Sequence, residues 1–416
     1  MTMRASDRLL WPLVLSMLLL LGLGIAAIAA TDPSAAGTPF ARTHLGKQVI
    51  AALAGMVAFG VLYRFSYLRL RVPAYAGYGL LLVALVLVLK FAPEKNGSRR
   101  WFEVFGFGVQ PSEYMKIAVI LAIARYLHVR EPAVRLRDIG IPLALVLAPM
   151  GLILKQPDLG TALVFFPIFA AMVFAAGAKK RRIGGLCLCA FALAAAPFVA
   201  YFTTGRVLPP LREYQMNRLT AFIRPENAPL GDGFQLLRAL EAIRAGGWTG
   251  RGTEDAASGF TRFVPERHND FIFSVVGESW GLLGTSSLLL LYAILLGTSL
   301  SIAYRCREPF GRLAIVGVVV WFAVQVFVNV AMTTGLAPIT GMTLPLVSYG
   351  GSSLLTSCAA LGVVAGIARR YVPVFSHDET EMEQGRIPRL AARARGRGDL
   401  VQRQSHQPVD TERTGR

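Results

Sequence analysis

Cysteine is scarce in this chain. There are four in 416 residues, Cys187, Cys189, Cys306 and Cys358, and no C-x-x-C spacing. A disulfide framework or a zinc site is therefore not expected. Charge is scarce as well: Asp, Glu, Lys and Arg together make up 16%, against roughly 25% in soluble domains. Acidic residues are the rarer sign, 25 against 43 basic, for a net charge of +18. Long polar stretches are missing until the last 46 or so residues, which excludes an ordinary soluble enzyme of this length.

What is present is apolar, 54% of the residues with a mean hydropathy of +0.50. The apolar residues come in blocks, and blocks of roughly 18 or more can span a bilayer as helices. There are ten candidates, at 11–30, 46–63, 74–91, 114–128, 139–154, 159–177, 183–203, 271–303, 311–334 and 346–368, the fourth and fifth of them short. A cleavage site could be drawn after "AIAA", but nine spans follow the first block, so it reads as a span and not a secretory signal. The expected fold is all-α and polytopic, with about ten transmembrane helices.

Orientation follows from Lys and Arg in the short loops. The tail before span one has Arg4 and Arg8, and alternate loops have Arg64, Arg69 and Arg71, then Arg125, Arg130, Arg135 and Arg137, then Lys179 to Arg182, then Arg305, Arg307 and Arg312. Both termini are thus expected on the cytoplasmic side. The net charge is largely this bias and gives no ground for nucleic-acid binding. Lys95, Arg99 and Arg100 break the pattern from the opposite side, and need another reason. The domains that follow are a cytoplasmic tail over 1–10, a membrane domain over 11–370 with a large extracytoplasmic loop over 204–270 between spans seven and eight, and a disordered cytoplasmic tail over 371–416.

Within the loop, "FQLLRALEAIRAGGW" puts Leu236, Leu240 and Ile243 on one helical face and ends at Gly246-Gly247. Such a helix suits a membrane surface or packing against the membrane domain. Four motifs map to the same face: "NGSRRWFEVFGFGVQPSEYMK", "KQPDLGT", "PERHNDFIF" and "GLAPITGMTLPLVSYGGSSLL". They bring Arg100, Glu113, Lys116, Asp158, Asp270 and Glu278 to one interface. Taken singly, Asp158 and Asp270 read as helix caps and Glu113 with Lys116 as an i,i+3 pair. Glu278 is different, because an ionisable group inside a span is costly and marks function by default.

These strings, with "REYQMNRLTAF" and "PLGDGFQLLRALEAIRAGG", occur in an order that resembles the SEDS family of cell-wall proteins (RodA, FtsW and SpoVE) from about Leu10 to Arg370. "KQPDLGT" and "EYQMNR" are nearer the RodA branch. Asn269, Ser279 and Thr343 depart from the residues common in the family.

The resemblance implies a peptidoglycan glycosyltransferase that polymerises lipid II outside the cytoplasmic membrane. It would work beside a class B penicillin-binding transpeptidase and other elongation-machinery proteins. It places the essential carboxylate on Asp270. Arg100, Trp101, Glu113, Lys116, Asp158, Gln215, Arg218, His268, Glu278, Ser348, Gly350 and Gly351 are carried over as supporting or substrate-binding positions. Asp270 suits a general base for a sugar hydroxyl. Arg100, Lys116 or a divalent cation (magnesium or manganese, held by Asp270, Glu113 or Asp158) would offset charge on the departing pyrophosphate. A lipid II flippase, a division-type polymerase and a silent scaffold are the alternatives.

Overall fold

The computed structural model describes residues 5–31, 39–94, 98–104, 107–130, 136–204, 213–223, 231–253, 259–264 and 266–371. Ten helices stand where the ten apolar blocks are. They are α1 (Ala5–Thr31), α2 (His44–Arg64), α4 (Ala74–Phe91), α5 (Pro111–Leu127), α6 (Gly140–Lys155), α7 (Leu159–Ala175), α8 (Lys180–Thr204), α11 (Ile272–Arg305), α12 (Pro309–Thr333) and α13 (Gly351–Tyr371). A short turn of helix, α3 (Tyr67–Leu70), joins α2 to α4, while α9 (Glu213–Ile223) and α10 (Asp232–Gly246) lie in the large loop. Seven of the ten are long and apolar enough to cross a membrane: α1, α2, α4, α8, α11, α12 and α13. The fourth to sixth, α5, α6 and α7, have 17, 16 and 17 residues. The expected tail over 371–416 lies outside the described residues, apart from Tyr371 at the end of α13.

Two local departures from the sequence reading have clear causes. "FEVFGFGV" alternates large and small residues, and Phe102–Val104 pairs antiparallel with Phe107–Val109 as strands β1 and β2, a small hairpin within the otherwise all-helical fold. The tenth helix starts at Gly351 and not at 346, because Leu346 takes a left-handed φ of 69° that a helix cannot contain.

Helix starts are set by short-range chemistry. Asp158 caps α7 by accepting from the Thr161 N–H at 3.1 Å, and Glu308 caps α12 by accepting from the Phe310 and Gly311 N–H groups. Pro111 and Pro309 occupy first-turn positions, where their missing N–H costs nothing.

Helix packing relies on small residues, as is common between membrane helices. Along α2 and α13, a Cβ on Gly362 would lie 2.7 Å from the Phe59 carbonyl oxygen, and one on Gly55 would lie 2.9 Å from Cys358 Sγ. The interior is built from α5, α7 and α12, whose Val119, Ile123, Phe165, Phe169, Trp321 and Phe322 are all buried. In contrast, α8 has no buried residue in its most apolar stretch and presents Leu188, Phe191 and Leu193 outward.

The loop helix α10 is docked on protein. Leu236 and Ala239 join Val264, Phe271 and Ile339 in a small core, with Leu240 packed against it. The segment after it meets α11 backbone to backbone: the Arg251 N–H donates to the Glu278 carbonyl at 2.9 Å and the Gly252 N–H to the Ser279 carbonyl at 3.1 Å, while the Gly250 N–H turns back to the Gly246 carbonyl at 2.8 Å. A kink at Gly281 (φ 61°) opens α11 to admit this segment, with the Leu282 N–H donating to the Gly247 carbonyl at 2.9 Å. A Cβ on Gly246 would sit 1.9 Å from the Gly277 carbonyl oxygen. Gly246→Ala is therefore expected to undock the loop at a cost of about 1–3 kcal/mol. Limited proteolysis within 231–264 checks this: a cleavage rate equal to wild type would show that the close approach is not needed.

Candidate functional site

Asp270 stands just before α11, at the end of the turn Glu266–Phe271. The turn is closed by its own backbone, with the Asn269 and Asp270 N–H groups both donating to the Glu266 carbonyl at 3.1 Å. A second segment, Leu344–Gly350, holds it from outside. Ser348 Oγ donates to the Asn269 carbonyl at 2.6 Å, and the Tyr349 N–H donates to the His268 carbonyl at 2.9 Å. Asn329, deep in α12, donates through Nδ2 to the Asp270 carbonyl at 2.8 Å and to the Met342 carbonyl at 2.6 Å. Three separate parts of the chain thus fix the backbone of the turn that carries this carboxylate, Ser348 among them.

The half-buried carboxylate faces Gly341. A methyl group there would lie 3.3 Å from Asp270 Oδ2 and 3.7 Å from Arg218 Nη1, which places Arg218 of α9 beside the acid. Arg218 itself donates to the Ile339 carbonyl at 3.4 Å. Desolvation pushes the Asp270 carboxyl up to about 7; Glu266 and Asp158 add to the rise, while Arg218 and Arg100 oppose it. Two carboxylates and two guanidiniums therefore share its field. Beyond Arg218 opens a recess lined by Leu159, Phe198, Gln215, Leu219, Pro338 and Ile339, mostly apolar with a polar edge.

Asp158 and Arg100 form the neighbouring wall. Asp158 Oδ2 accepts from Thr161 Oγ1 at 3.0 Å and from Gln110 Nε2 at 3.2 Å, with Arg100 Nη1 at 3.8 Å. Arg100 donates to the Gln156 carbonyl at 2.8 Å and to the Pro157 carbonyl. The basic residue that broke the charge pattern is thus tied to the α6–α7 junction. Trp101 packs on the hairpin at Gly108, whose Cβ would lie 3.1 Å from the indole.

Lys116 and Glu278, expected at or just below the interface, are both fully buried. Lys116 has no exposed surface; its ammonium donates to Glu113 Oε1 at 2.7 Å and lies 4.9 Å from the Trp321 ring centre. In this structure it is a buried partner for Glu113, not a cation facing a leaving group. Removing one member of such a pair strands a buried charge, at about 3–5 kcal/mol. Lys116→Met alone is therefore expected to lower the melting temperature sharply, and Glu113→Gln added to it should recover much of the loss. Melting in detergent decides this; two additive losses would mean that the residues act independently.

Glu278 is fully buried and accepts from the Phe260 N–H at 2.8 Å and the Thr261 N–H at 3.0 Å. It pins the loop segment that leads into the Asp270 turn. Gly350 and Gly351 begin α13 with no tight contact; a Cβ on Gly351 would sit 3.9 Å from Ala51.

The carboxylates proposed for a divalent ion do not form a ligand set. Glu113 is committed to Lys116, Asp158 caps α7, and no three of His, Cys, Asp and Glu converge among the described residues. The sequence reading missed Asn329, Gln110, Glu266 and Arg267. A signal existed for Asn329, a lone amide inside an apolar span, where polar groups are expensive and retained for a reason.

Comparison with known proteins bears on the family. The family model for cell cycle proteins of the FtsW, RodA and SpoVE type matches residues 8–371. A probable peptidoglycan glycosyltransferase FtsW of Trichlorobacter lovleyi is 35% identical over 363 residues, 86% of this chain and 92% of that one. The crystal structure of the rod shape determining protein RodA of Thermus thermophilus matches with a TM-score of 0.64 and 31% identity, covering 87% of this chain and 97% of its own. A chain from a peptidoglycan synthase complex, solved to explain the coordination of polymerization and crosslinking, matches with a TM-score of 0.72 and 34% identity over 87% of this chain and 98% of its own. With a family model matching nearly its whole membrane domain and relatives aligned along most of their length, the chain belongs to the SEDS family, FtsW, RodA and SpoVE.

Proposed function

We infer that this membrane protein is a peptidoglycan glycosyltransferase that polymerises lipid II, and that its branch is RodA-like, serving cell elongation. The observation that carries the chemical reading is the Asp270 carboxylate, carried on a turn fixed from three sides, and flanked by Arg218 and Arg100 beside an apolar recess. The branch rests on "KQPDLGT" and "EYQMNR". Lys and Arg in alternate loops support cytoplasmic termini and an extracytoplasmic site.

In the proposed step the acceptor sugar hydroxyl gives its proton to Asp270 as its oxygen attacks the anomeric carbon of a second lipid II. The bond to the undecaprenyl pyrophosphate breaks with inversion, and the leaving group takes the bonding electron pair. Arg218 and Arg100 oppose its growing charge. The recess with Gln215 is of a character to hold the start of the prenyl chain.

A carboxyl lifted to about 7 is well matched to this work, since a base is most effective with its pKa near the working pH. The proton must be off for Asp270 to act. Accordingly kcat/KM for lipid II should rise tenfold per pH unit below about 7 and level above it. A profile flat from pH 5 to 8 would remove Asp270 as the base.

The test of the function is glycan formation from lipid II by the purified protein, with and without a class B penicillin-binding transpeptidase, the partner suggested by the synthase-complex relative. Transbilayer movement of lipid II without glycan product would instead favour a flippase. The same assay after chelation tests the expectation of a divalent ion, and full turnover would dismiss it.

A further inference from the structure

The turn that carries Asp270 is held on one further side, by the outer ends of the first two helices. Arg267 Nη2 donates to the carbonyl of Thr31, the last residue of α1, at 2.6 Å. The last carbonyls of a helix lack intrahelical partners and carry the negative end of its dipole. A guanidinium there makes a charge-assisted bond, stronger than a neutral one. Next in sequence, the His268 ring meets that of His44, the first residue of α2, with centroids 4.5 Å apart. Tyr349 completes the cluster at 4.9 Å from His44 and 5.4 Å from His268.

Both helix ends are fixed where they make these contacts. Thr43 Oγ1 caps α2 by accepting from the Gly46 N–H at 3.0 Å, and a Cβ on Gly46 would lie 1.8 Å from the Phe40 carbonyl oxygen. Gln48 Nε2 donates to the Ser348 carbonyl at 3.2 Å, tying α2 to the segment that also holds the turn. Gly24 brings α1 against the same segment, with its Cβ position 2.6 Å from the Val347 carbonyl oxygen. The helix ends therefore form a wall for the turn.

We propose that Arg267 and His44 are positioning residues for the glycosyl transfer, clamping the Asp270 turn to the outer ends of α1 and α2. Neither needs to touch substrate. The inference rests on reading Asp270 as the base, and adds that the first two helices set where that base stands. A shift of about 1 Å in a reacting group can cost on the order of a hundredfold in rate, so a clamp of this kind should be visible in kcat.

The test uses the full chain, purified in detergent, with two readouts. One is lipid II polymerisation; the other is hydrogen exchange of the backbone over residues 266–273, which does not depend on catalysis. Arg267→Ala is expected to lower kcat by about 10- to 100-fold with KM for lipid II unchanged, and to speed exchange in the turn. Arg267→Lys should recover most of both, because an ammonium can still reach the Thr31 carbonyl. His44→Ala should give a smaller change of the same kind, and His44→Phe, which keeps a ring against His268, should recover it. His44 is exposed, so its variants carry the test if Arg267→Ala does not fold. Wild-type exchange and kcat in the alanine variants would overturn the proposal, as would Lys and Phe variants no better than Ala. If the wild type makes no glycan, the function above falls, while exchange still judges the clamp.

Discussion

Asp270→Asn is expected to leave the protein folded and inserted while lowering lipid II polymerisation by at least about a hundredfold, the usual contribution of a general base. The substitution is nearly isosteric. The latches on this turn are backbone carbonyls of His268, Asn269 and Asp270, which the variant keeps. What is lost is charge and basicity. Stability should move the opposite way from activity. Because the folded protein holds the carboxyl up to about 7, it binds that proton more tightly than the unfolded chain, where the value is about 3.9. The wild type therefore loses stability as pH rises from the unfolded value through about 7, and the neutral Asn variant does not. At pH 8 the variant should melt at or above the wild-type temperature. An inactive variant that also melts much lower would point to a structural role for Asp270, and normal glycan synthesis would remove it from the mechanism.

Glu278→Ala should also abolish activity, but by a different route. Its carboxylate is the acceptor for two buried or half-buried backbone N–H groups, those of Phe260 and Thr261. Leaving both without a partner costs about 1–3 kcal/mol each, with a cavity added where the side chain was. The segment Phe260–Val264 should then detach, taking the entry to the Asp270 turn with it. Melting should fall steeply at every pH, and proteolysis should reach the loop. The contrast separates the two acids: one variant is stable and silent, the other unstable and silent. A Glu278→Ala protein with normal melting but no activity would return Glu278 to the reacting centre.

Repeated membrane crossing was legible because membrane burial is written in composition. An apolar block long enough to cross needs no knowledge of its neighbours. The caps were legible for a similar reason, since Asp158 bonds only three residues along the chain. The clustering of motifs on one face followed from alternation of the loops, and the resemblance supplied Asp270. Glu278 shows where such reading stops. A carboxylate in a span signals function by default, yet its partners are the N–H groups of residues 17 and 18 positions earlier, which no local pattern reveals. Lys116 is similar: its i,i+3 pairing with Glu113 was visible, but its enclosure under Trp321 depends on how α12 packs on α5.

The sequence by itself determined that this chain crosses a membrane many times and where helices such as α7 and α12 are capped. Each of these depends on hydrophobicity or on hydrogen bonds a few residues long. Tertiary structure alone decided which charges surround Asp270 and which brace the scaffold. Arg218 meets Asp270 across a glycine at position 341, Asn329 reaches the turn from inside α12, and Arg267 closes the end of α1. These contacts join segments from 52 (Arg218 and Asp270) to 236 (Thr31 and Arg267) residues apart. Bonds over such separations exist only after the helices have packed, so their physical origin lies in the closeness that small residues allow and not in any periodicity of the chain.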